Sequence, residues 1–546
     1  MSSLYLESFQ GFVAREPALA SLAALLVVAA VVYHLLQRPA KLNLPVVELI
    51  PGDVSYERAV AQGVAKYPNT PFILNQESPV VIIPRDCIDG IKSLPESQAS
   101  MMQPVLEEFS SNVTKIGYEA RDAVHAIKND LTRHVASILD GLQDEARFAI
   151  DQEFGTGSDW TPIPVYMKIT RVVALLSGRV FVGRPLSREE EWLNATISYT
   201  YNCTRARDAL QKYPTFIRPV VGPWLPEVQD LFKQRKRGAE LLTPILEEIR
   251  KREARGEKMD EYEDQQGTFC RWLMKYMGNE EVTAMKLAEN QMGVSFAAIH
   301  TTSMALAHVI FDLASHPEYI KPLREEIQQV IAEDGQEADS TGFNKLKKAS
   351  FTKLKKLDSF MKESQRLGPP GYSKCFFLLS PPPDKVSTDH RPKTTASMGR
   401  VVASPITLTS GHVLPKGTHF VIPSYAIATS EATPIFSSSM GQPPQEFDGF
   451  RFAKLRTAPG QEHKHQFAST STESLTFGHG SHACPGRFFA GNEIKVIMVE
   501  LLRNWDVRLA AADDGMRPAN MITKLLCIPN VQAVVEFKRL KTDFDA

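Results

Sequence analysis

Residues 477–490 read Phe-Gly-His-Gly-Ser-His-Ala-Cys-Pro-Gly-Arg-Phe-Phe-Ala, a glycine-rich turn around one cysteine that leads into an apolar, helix-like segment. Gly478 and Gly480 allow a tight turn with positive φ. Gly486 allows the chain to approach the Cys484 sulfur and places a helix N-terminus beside its negative charge. Because a thiolate ligand of haem iron must be shielded and held by nearby N–H donors, the segment predicts that Cys484 is such a ligand.

Two other interpretations of these residues remain open. A single cysteine among glycines is often only a small buried residue. His479, His482 and Cys484 are also residue types that bind zinc, although a second ligand pair at a normal spacing is missing.

The segment resembles the cysteine-ligand loop of the cytochrome P450 family, F-x-x-G-x-x-x-C-x-G, and matches it at Phe477, Gly480, Cys484 and Gly486. The resemblance implies haem b with an axial thiolate from Cys484, which is then the metal ligand. It also implies that Phe477, Gly478 and Gly486 help to bind the haem.

A second candidate site is the stretch 296–303, Phe-Ala-Ala-Ile-His-Thr-Thr-Ser, in a predicted long helix. Three hydroxyl residues in a row are unusual there, because their side chains compete for backbone hydrogen bonds, but they could also be only a polar seam. The stretch resembles the family's oxygen-activating helix, with Thr301 at the threonine, His300 in place of the usual acid and Ala298 in place of a common glycine. The resemblance implies catalytic roles in proton delivery for Thr301, Thr302 and His300, since histidine can shuttle protons near neutrality.

The third signal is Glu363-Ser-Gln-Arg366, in which an acid and an arginine three residues apart share a helix face. Such a pair is worth little on a surface. It resembles the family's E-x-x-R motif, and Arg451 occupies the place of the further arginine that precedes the cysteine loop. The resemblance implies a buried structural triad of Glu363, Arg366 and Arg451 that braces the loop.

The resemblance also implies cations that bind the haem propionates. His482, two residues before Cys484, and Arg400, on the strand after the E-x-x-R helix, occupy positions where the family has such contacts. The family's Trp-x-x-x-Arg is missing from the sequence. Lys128 and Arg133 are the candidates to replace it, although either could be an ordinary solvated charge.

The composition excludes some classes of function. The chain has 546 residues with 62 basic and 63 acidic side chains, so it has no electrostatic footprint for nucleic acid. Its 6 cysteines are scattered without a C-x-x-C pair, which fits a reducing compartment better than a disulfide framework.

An apolar run precedes the rest of the chain: no Asp, Glu, Lys or Arg occurs between Pro17 and Gln37. About 20 apolar residues can cross a bilayer as a helix, whereas a signal peptide or a buried helix are the alternatives. Arg38 and Lys41 follow the run and predict a cytosolic catalytic domain. We expect a lumenal N-terminus at 1–17, a transmembrane anchor at 18–36, a linker at 37–50 and one haem-thiolate monooxygenase domain at 51–546, and the resemblance implies the endoplasmic reticulum membrane.

The hydrophobic periodicity predicts a mainly α-helical protein with small β-sheets, an α+β domain of the cytochrome P450 fold. Helical patterns cover 106–148, 161–177, 231–258, 281–313, 322–333 and 357–367. Strand patterns cover 71–74, 79–84, 399–408, 420–423 and 531–537.

Residues 371–394 interrupt this pattern between the E-x-x-R helix and the strand that carries Arg400. They combine a short apolar cluster with a Pro/Ser/Thr/Lys run, and connections in compact domains are usually shorter. We interpret the segment as an insert and favour a retained intron over a genuine disordered surface loop.

The resemblance as a whole is to fungal members of secondary metabolism, including those similar to ent-kaurene oxidase. It implies a monooxygenase that oxidises a lipophilic terpenoid or related polycyclic compound, with O₂ and with electrons from NADPH delivered by a cytochrome P450 reductase. The alternatives are a haem-binding protein with little turnover because of the insert, and a haem-thiolate isomerase or dehydratase.

Overall fold

The computed structural model describes residues 42–540 except 54–55, 77, 119, 258–267, 279–281, 339–343, 370–395, 438–440, 511–514 and 524–525. The predicted anchor at 18–36 and the predicted insert at 371–394 lie outside the described residues.

Helices dominate the described part of the chain, as predicted. In chain order they are α1 Glu57–Lys66, α2 Ile88–Ile91, α3 Met102–Glu108, α4 Ser111–Thr114, α5 Ala120–Ala126, α6 Leu139–Phe154, α7 Val165–Phe181, α8 Glu190–Gln211, α9 Arg218–Val221, α10 Pro226–Ala254, α11 Thr268–Met274, α12 Ala284–Ser315, α13 Ile320–Asp334, α14 Lys355–Leu367, α15 Ser424–Ala428, α16 Arg451–Leu455 and α17 Arg487–Asn504. A π-helical turn, Ile127–Leu131, continues α5.

The strands are short and form small sheets. They are β1 Val46–Glu48, β2 Phe72–Asn75, β3 Val80–Ile82, β4 Ala99–Ser100, β5 Thr161–Pro164, β6 Gln336–Ala338, β7 Asn344–Leu346, β8 Ser397–Val402, β9 Ile406–Thr407, β10 Val413–Leu414, β11 His419–Ile422, β12 Trp505–Leu509, β13 Met521–Thr523, β14 Leu526–Ile528 and β15 Val534–Arg539. The largest sheet has six strands in the order β1-β2-β3-β11-β8-β4, and a second has the order β12-β15-β5.

Helix α12 lies at the centre of the helical core. It is long and apolar enough to cross a membrane, but 78% of its most apolar 18-residue stretch is buried inside the protein. Helices α5, α7, α8, α10, α14 and α17 pack around it. An apolar helix that is mostly buried belongs in the core of a large domain, so α12 is the element around which the site is built.

The helix predicted at 161–177 is wrong at its beginning. The sequence predicts a helix from residue 161, but Thr161–Pro164 is strand β5, and the helix begins at Val165. Pro162 and Pro164 lack the backbone N–H that a helix interior requires. An edge strand tolerates them, and β5 pairs antiparallel with β15 at the edge of its sheet.

Candidate active site

The turn before α17 holds Cys484 through its backbone. The Cys484 N–H donates to the Phe477 carbonyl at 2.8 Å, and Arg487 donates to the Cys484 carbonyl at 2.7 Å. Gly478 and Gly480 have φ of 67° and 78°, as the sequence predicts. A Cβ on Gly480 would lie 2.3 Å from the Lys92 carbonyl oxygen, so this position excludes every side chain.

Gly486 is placed beside the sulfur for a different reason. Its φ of −83° is open to any residue, and it caps the N-terminus of α17. Among the described residues, none beyond its neighbours in the chain has an atom within 4 Å of the position that its Cβ would take. Gly486 and Cys484 both line the same cavity, so the missing side chain leaves open space next to the ligand candidate.

That cavity has a volume of about 390 Å³ and lies between the cysteine turn and α12. Cys484, Phe477 and Gly486 line one wall. Ala297, Ala298, Thr301 and Thr302 of α12 line the other. Most of the lining is apolar, so the cavity favours a flat, lipophilic group over solvated ions.

Two hydroxyl residues of α12 differ in what they face. Thr301 donates its Oγ1 proton to the Ala297 carbonyl at 2.6 Å and lines the cavity beside Thr302. Ser303 donates in the same way to the Ile299 carbonyl at 2.7 Å, but it is fully buried and lies outside the cavity lining. The small Ala297 and Ala298 leave the helix groove beside Thr301 accessible.

His300 lies outside the cavity lining. Its ring nitrogens lie 3.0 Å from the Tyr166 hydroxyl on α7 and 3.1 Å from the Ile197 carbonyl on α8. Burial lowers the pKa of this histidine below its usual value, so the neutral ring is favoured. The position of His300 links three helices and does not support the predicted proton shuttle into the cavity.

Glu363, Arg366 and Arg451 contact one another in the interior. Arg366 binds both oxygens of the Glu363 carboxylate, at 2.8 Å and 2.6 Å, and Arg451 Nε donates to the same carboxylate at 3.2 Å. The remaining guanidinium protons go to backbone carbonyls of residues 428 and 442–446. All three side chains are buried, so the charges are satisfied mutually and by the chain that leads toward the cysteine turn.

The structure places both predicted propionate contacts, Arg400 and His482, outside the cavity lining. Arg400 donates to the Ile91 carbonyl at 2.9 Å, and His482 Nε2 lies 3.0 Å from the Leu94 carbonyl. His482 Nδ1 also lies 3.4 Å from a carboxylate oxygen of Glu96. Both side chains therefore bind the segment after α2, beside the cysteine turn but outside the cavity lining.

Lys128 and Arg133 are exposed and do not line the cavity. Their apolar neighbours Ile127 and Leu131 do line it. The structure thus directs the apolar face of this helical segment inward and the two cations outward.

Sequence reasoning missed Gln365, which lies inside the E-x-x-R motif. Gln365 is 4% exposed, lines the cavity, and its Nε2 has no hydrogen-bond partner among the described residues. A buried amide without a hydrogen-bond partner beside an apolar cavity indicates that a bound group supplies the partner. The motif itself was the available signal, since its two inner residues share α14 with Glu363 and Arg366.

The residues present fit haem. Cys484, held by backbone hydrogen bonds, lines an apolar cavity together with residues from the 297–302 stretch of α12. Gly486 and the Gln365 amide, whose Nε2 has no partner among the described residues, line the space where haem would lie. Within the described ranges, no group of three or more His, Cys, Asp or Glu could hold a metal ion, which leaves the zinc interpretation without a site. The fold and the site together define the class of haem-thiolate proteins.

Comparison with known proteins identifies the family. The family model described as cytochrome P450 matches residues 125–375 and 391–535, and its gap falls inside the predicted insert. Cytochrome P450 monooxygenase ascG of Acremonium egyptiacum is 44% identical over 99% of this chain and 99% of its own. Cytochrome P450 monooxygenase BOA7 of Botryotinia fuckeliana is 39% identical over 92% of this chain and 91% of its own.

The chain belongs to the cytochrome P450 family and is a monooxygenase of that family, an oxidoreductase. The predicted resemblance and the mainly helical fold with small sheets are confirmed. Membership implies haem with a cysteine thiolate, and Cys484 is the described cysteine that lines the cavity.

Proposed function

We propose that this protein inserts one oxygen atom of O₂ into a lipophilic secondary metabolite, a terpenoid or related polycyclic compound, and in some cases oxidises it further. NADPH supplies the electrons through a separate cytochrome P450 reductase. The observation that carries the proposal is the apolar cavity with Cys484 on one wall and Thr301 on the facing wall.

Each residue then has a separate task. Haem bound to the Cys484 thiolate supplies O₂ activation, because the thiolate donates electron density that favours O–O cleavage. Thr301 holds a proton at Oγ1 on the opposite wall, and Thr302 extends the same hydroxyl surface. The apolar lining excludes water and orients a lipophilic substrate.

The triad and the cations act from outside the cavity. Glu363, Arg366 and Arg451 hold the chain before the cysteine turn in place. Arg400 and His482 flank the turn on its outer side, where they can contact the carboxylates at the edge of a bound haem.

We further propose a membrane location at the endoplasmic reticulum, with an anchor at 18–36 and the catalytic domain in the cytosol. An exposed apolar surface supports it: Phe216, Val220 and Trp224, in the connection between α8 and α10, are 78%, 70% and 80% exposed. Large apolar side chains at this exposure fit an interface with lipid better than with water.

Expression with reductase in yeast microsomes tests the function. The reduced carbon monoxide complex should show the red-shifted Soret band of a thiolate-ligated haem, and Cys484→Ser should lose both the band and turnover. Cys87→Ala is the matched control, since Cys87 is buried in another core cluster and should keep both. A Soret band of histidine-ligated haem would overturn the proposal, and turnover without NADPH would favour the isomerase or dehydratase alternative.

A further inference from the structure

Arg235 of α10 is a buried cation at the cavity. It is 2% exposed and lines the same cavity as Cys484 and Thr301. Its Nε donates to the Tyr199 hydroxyl at 2.8 Å, and its Nη1 donates to the Thr114 carbonyl at 2.7 Å. The aromatic rings of Tyr199 and Phe232 lie 5.6 Å and 5.5 Å from the guanidinium carbon.

No carboxylate of the described chain forms an ion pair with Arg235, and its Nη2 makes no hydrogen bond with the described residues. Other arginines buried to a similar degree do have such partners. Arg207 pairs with Asp208, and both Arg366 and Arg451 pair with Glu363. Because a buried charge is costly unless it is paired, the Arg235 site is electrostatically incomplete.

The surroundings of Arg235 favour an anion. Lys115, which also lines the cavity, directly follows Thr114, whose carbonyl Arg235 binds. The acid in the lining, Glu289, is not ion-paired with Arg235. The rings that hold the guanidinium are apolar and exclude water, which strengthens a charge-assisted hydrogen bond to an incoming carboxylate.

Aromatic contacts connect the Arg235 site to α12. Tyr199 contacts the Phe296 ring edge-on, with 6.4 Å between centroids. Phe296 precedes Thr301 by five residues on α12, which is about 7.5 Å of helix. A molecule bound to Arg235 would therefore lie in the same cavity as Thr301 and Cys484, which also line it.

We propose that Arg235 binds a carboxylate of the substrate, so that this protein oxidises a lipophilic carboxylic acid at a carbon remote from the carboxylate. The proposal rests on the monooxygenase function above and narrows its substrate class. Arg235 provides the charge and the Nη2 donor, and Tyr199 orients the guanidinium through Nε.

Binding measurements on the haem-loaded protein test this inference. The probes are a panel of straight-chain, aryl-alkyl and polycyclic terpenoid monocarboxylic acids, each paired with its methyl ester, titrated by difference spectroscopy and by calorimetry. At least one acid should bind about 10-fold or more tightly than its ester. Arg235→Gln should abolish that preference, and Arg235→Lys should retain part of it.

Arg237→Gln is the matched control, because Arg237 lies on the same helix but is exposed and paired with Glu191 and Glu240. It should leave the preference unchanged. The inference is overturned if wild-type protein prefers no acid over its ester, or if Arg235→Gln retains the preference. Should Arg235→Gln fail to fold, the comparison of each acid with its methyl ester on the wild-type protein still tests whether an acid is preferred. A normal thiolate Soret band and turnover without any acid preference would refute this inference alone and leave the monooxygenase function standing.

Discussion

Thr301 and Ser303 show how much of this site depends on where one side chain points. Both lie on α12 and donate to the carbonyl four residues earlier, but only Thr301 lines the cavity. The hydroxyl chemistry is the same, so a difference between their variants would report on position.

Thr301→Val removes the hydroxyl and keeps the shape of the side chain. We expect substrate oxidation to fall on the order of 100-fold, because proton transfer by a positioned group typically contributes that much. NADPH consumption and product are measured together, so that electrons lost to peroxide are seen. Ser303→Ala serves as the control and should keep the wild-type ratio of product formed to NADPH consumed. An unchanged product yield in Thr301→Val would exclude proton delivery by the Thr301 hydroxyl.

At the scale of the element, the cysteine turn depends on a close backbone approach. Gly480 has φ of 78° and lies against the Lys92 carbonyl. Gly460 has φ of 75°, but in the described part of the chain only its sequence neighbours come within 4 Å of the position that a Cβ would take. The two glycines share the backbone conformation and differ in the space around them.

Gly460→Ala should cost about 1–2 kcal/mol, the cost of the left-handed conformation for an ordinary residue. Gly480→Ala should cost more and should reduce haem incorporation, because the turn must move away from Lys92. Thermal unfolding and haem content of the purified proteins measure the two effects. An equal loss of thermal stability and of haem content in both variants would show that the contact with Lys92 does not matter.

The triad joins α14 to the chain before α16. Glu363→Gln removes the charge that Arg366 and Arg451 share, which leaves two buried cations without a counter-ion. We expect a loss of about 3–5 kcal/mol in the free energy of unfolding. The measurement is denaturant unfolding of the haem-loaded protein.

The control for the triad is Glu191→Gln, which breaks an exposed pair with Arg237. Exposed pairs of that kind contribute little, so this variant should leave the free energy of unfolding nearly unchanged. If Glu363→Gln is as mild as the surface control, the triad does not brace the fold.

For the whole molecule, buried histidines make stability depend on pH. Burial lowers the pKa of His300 and, together with the Arg517 charge, lowers that of His308 well below the usual 6.5. At these two positions the unfolded chain therefore binds more protons than the folded protein below about pH 6.5, so the stability that the two histidines contribute is lost as pH falls through that range. Each histidine contributes at most about 1.4 kcal/mol per pH unit.

Denaturant unfolding at about pH 7.5 and about pH 5.5 measures this slope. His300→Gln should reduce it, and His463→Gln, at an exposed position, should not. A slope that is the same in wild type and His300→Gln would show that burial of His300 does not control the acid sensitivity.

Local sequence patterns predicted much of the fold and part of the site. The positive φ of Gly478 and Gly480, the pair Glu363 and Arg366, and the long helix now seen at Ala284–Ser315 depend on local geometry within a few residues. Turn chemistry and helix spacing are encoded at that distance, so they can be read without a partner segment. Strand β5 was missed because its pairing with β15 involves residues more than 350 positions apart.

The orientation of single side chains was decided only by tertiary packing. His300 has its partners on α7 and α8, Arg235 is brought to the cavity by α10, and His482 binds the segment after α2. Helical periodicity specifies which residues share a face, but the element that this face meets is set by the packing of helices distant in sequence. The sequence alone therefore identified an oxidoreductase of the cytochrome P450 family and predicted its thiolate ligand, whereas the packing around α12 decided which polar groups reach the cavity.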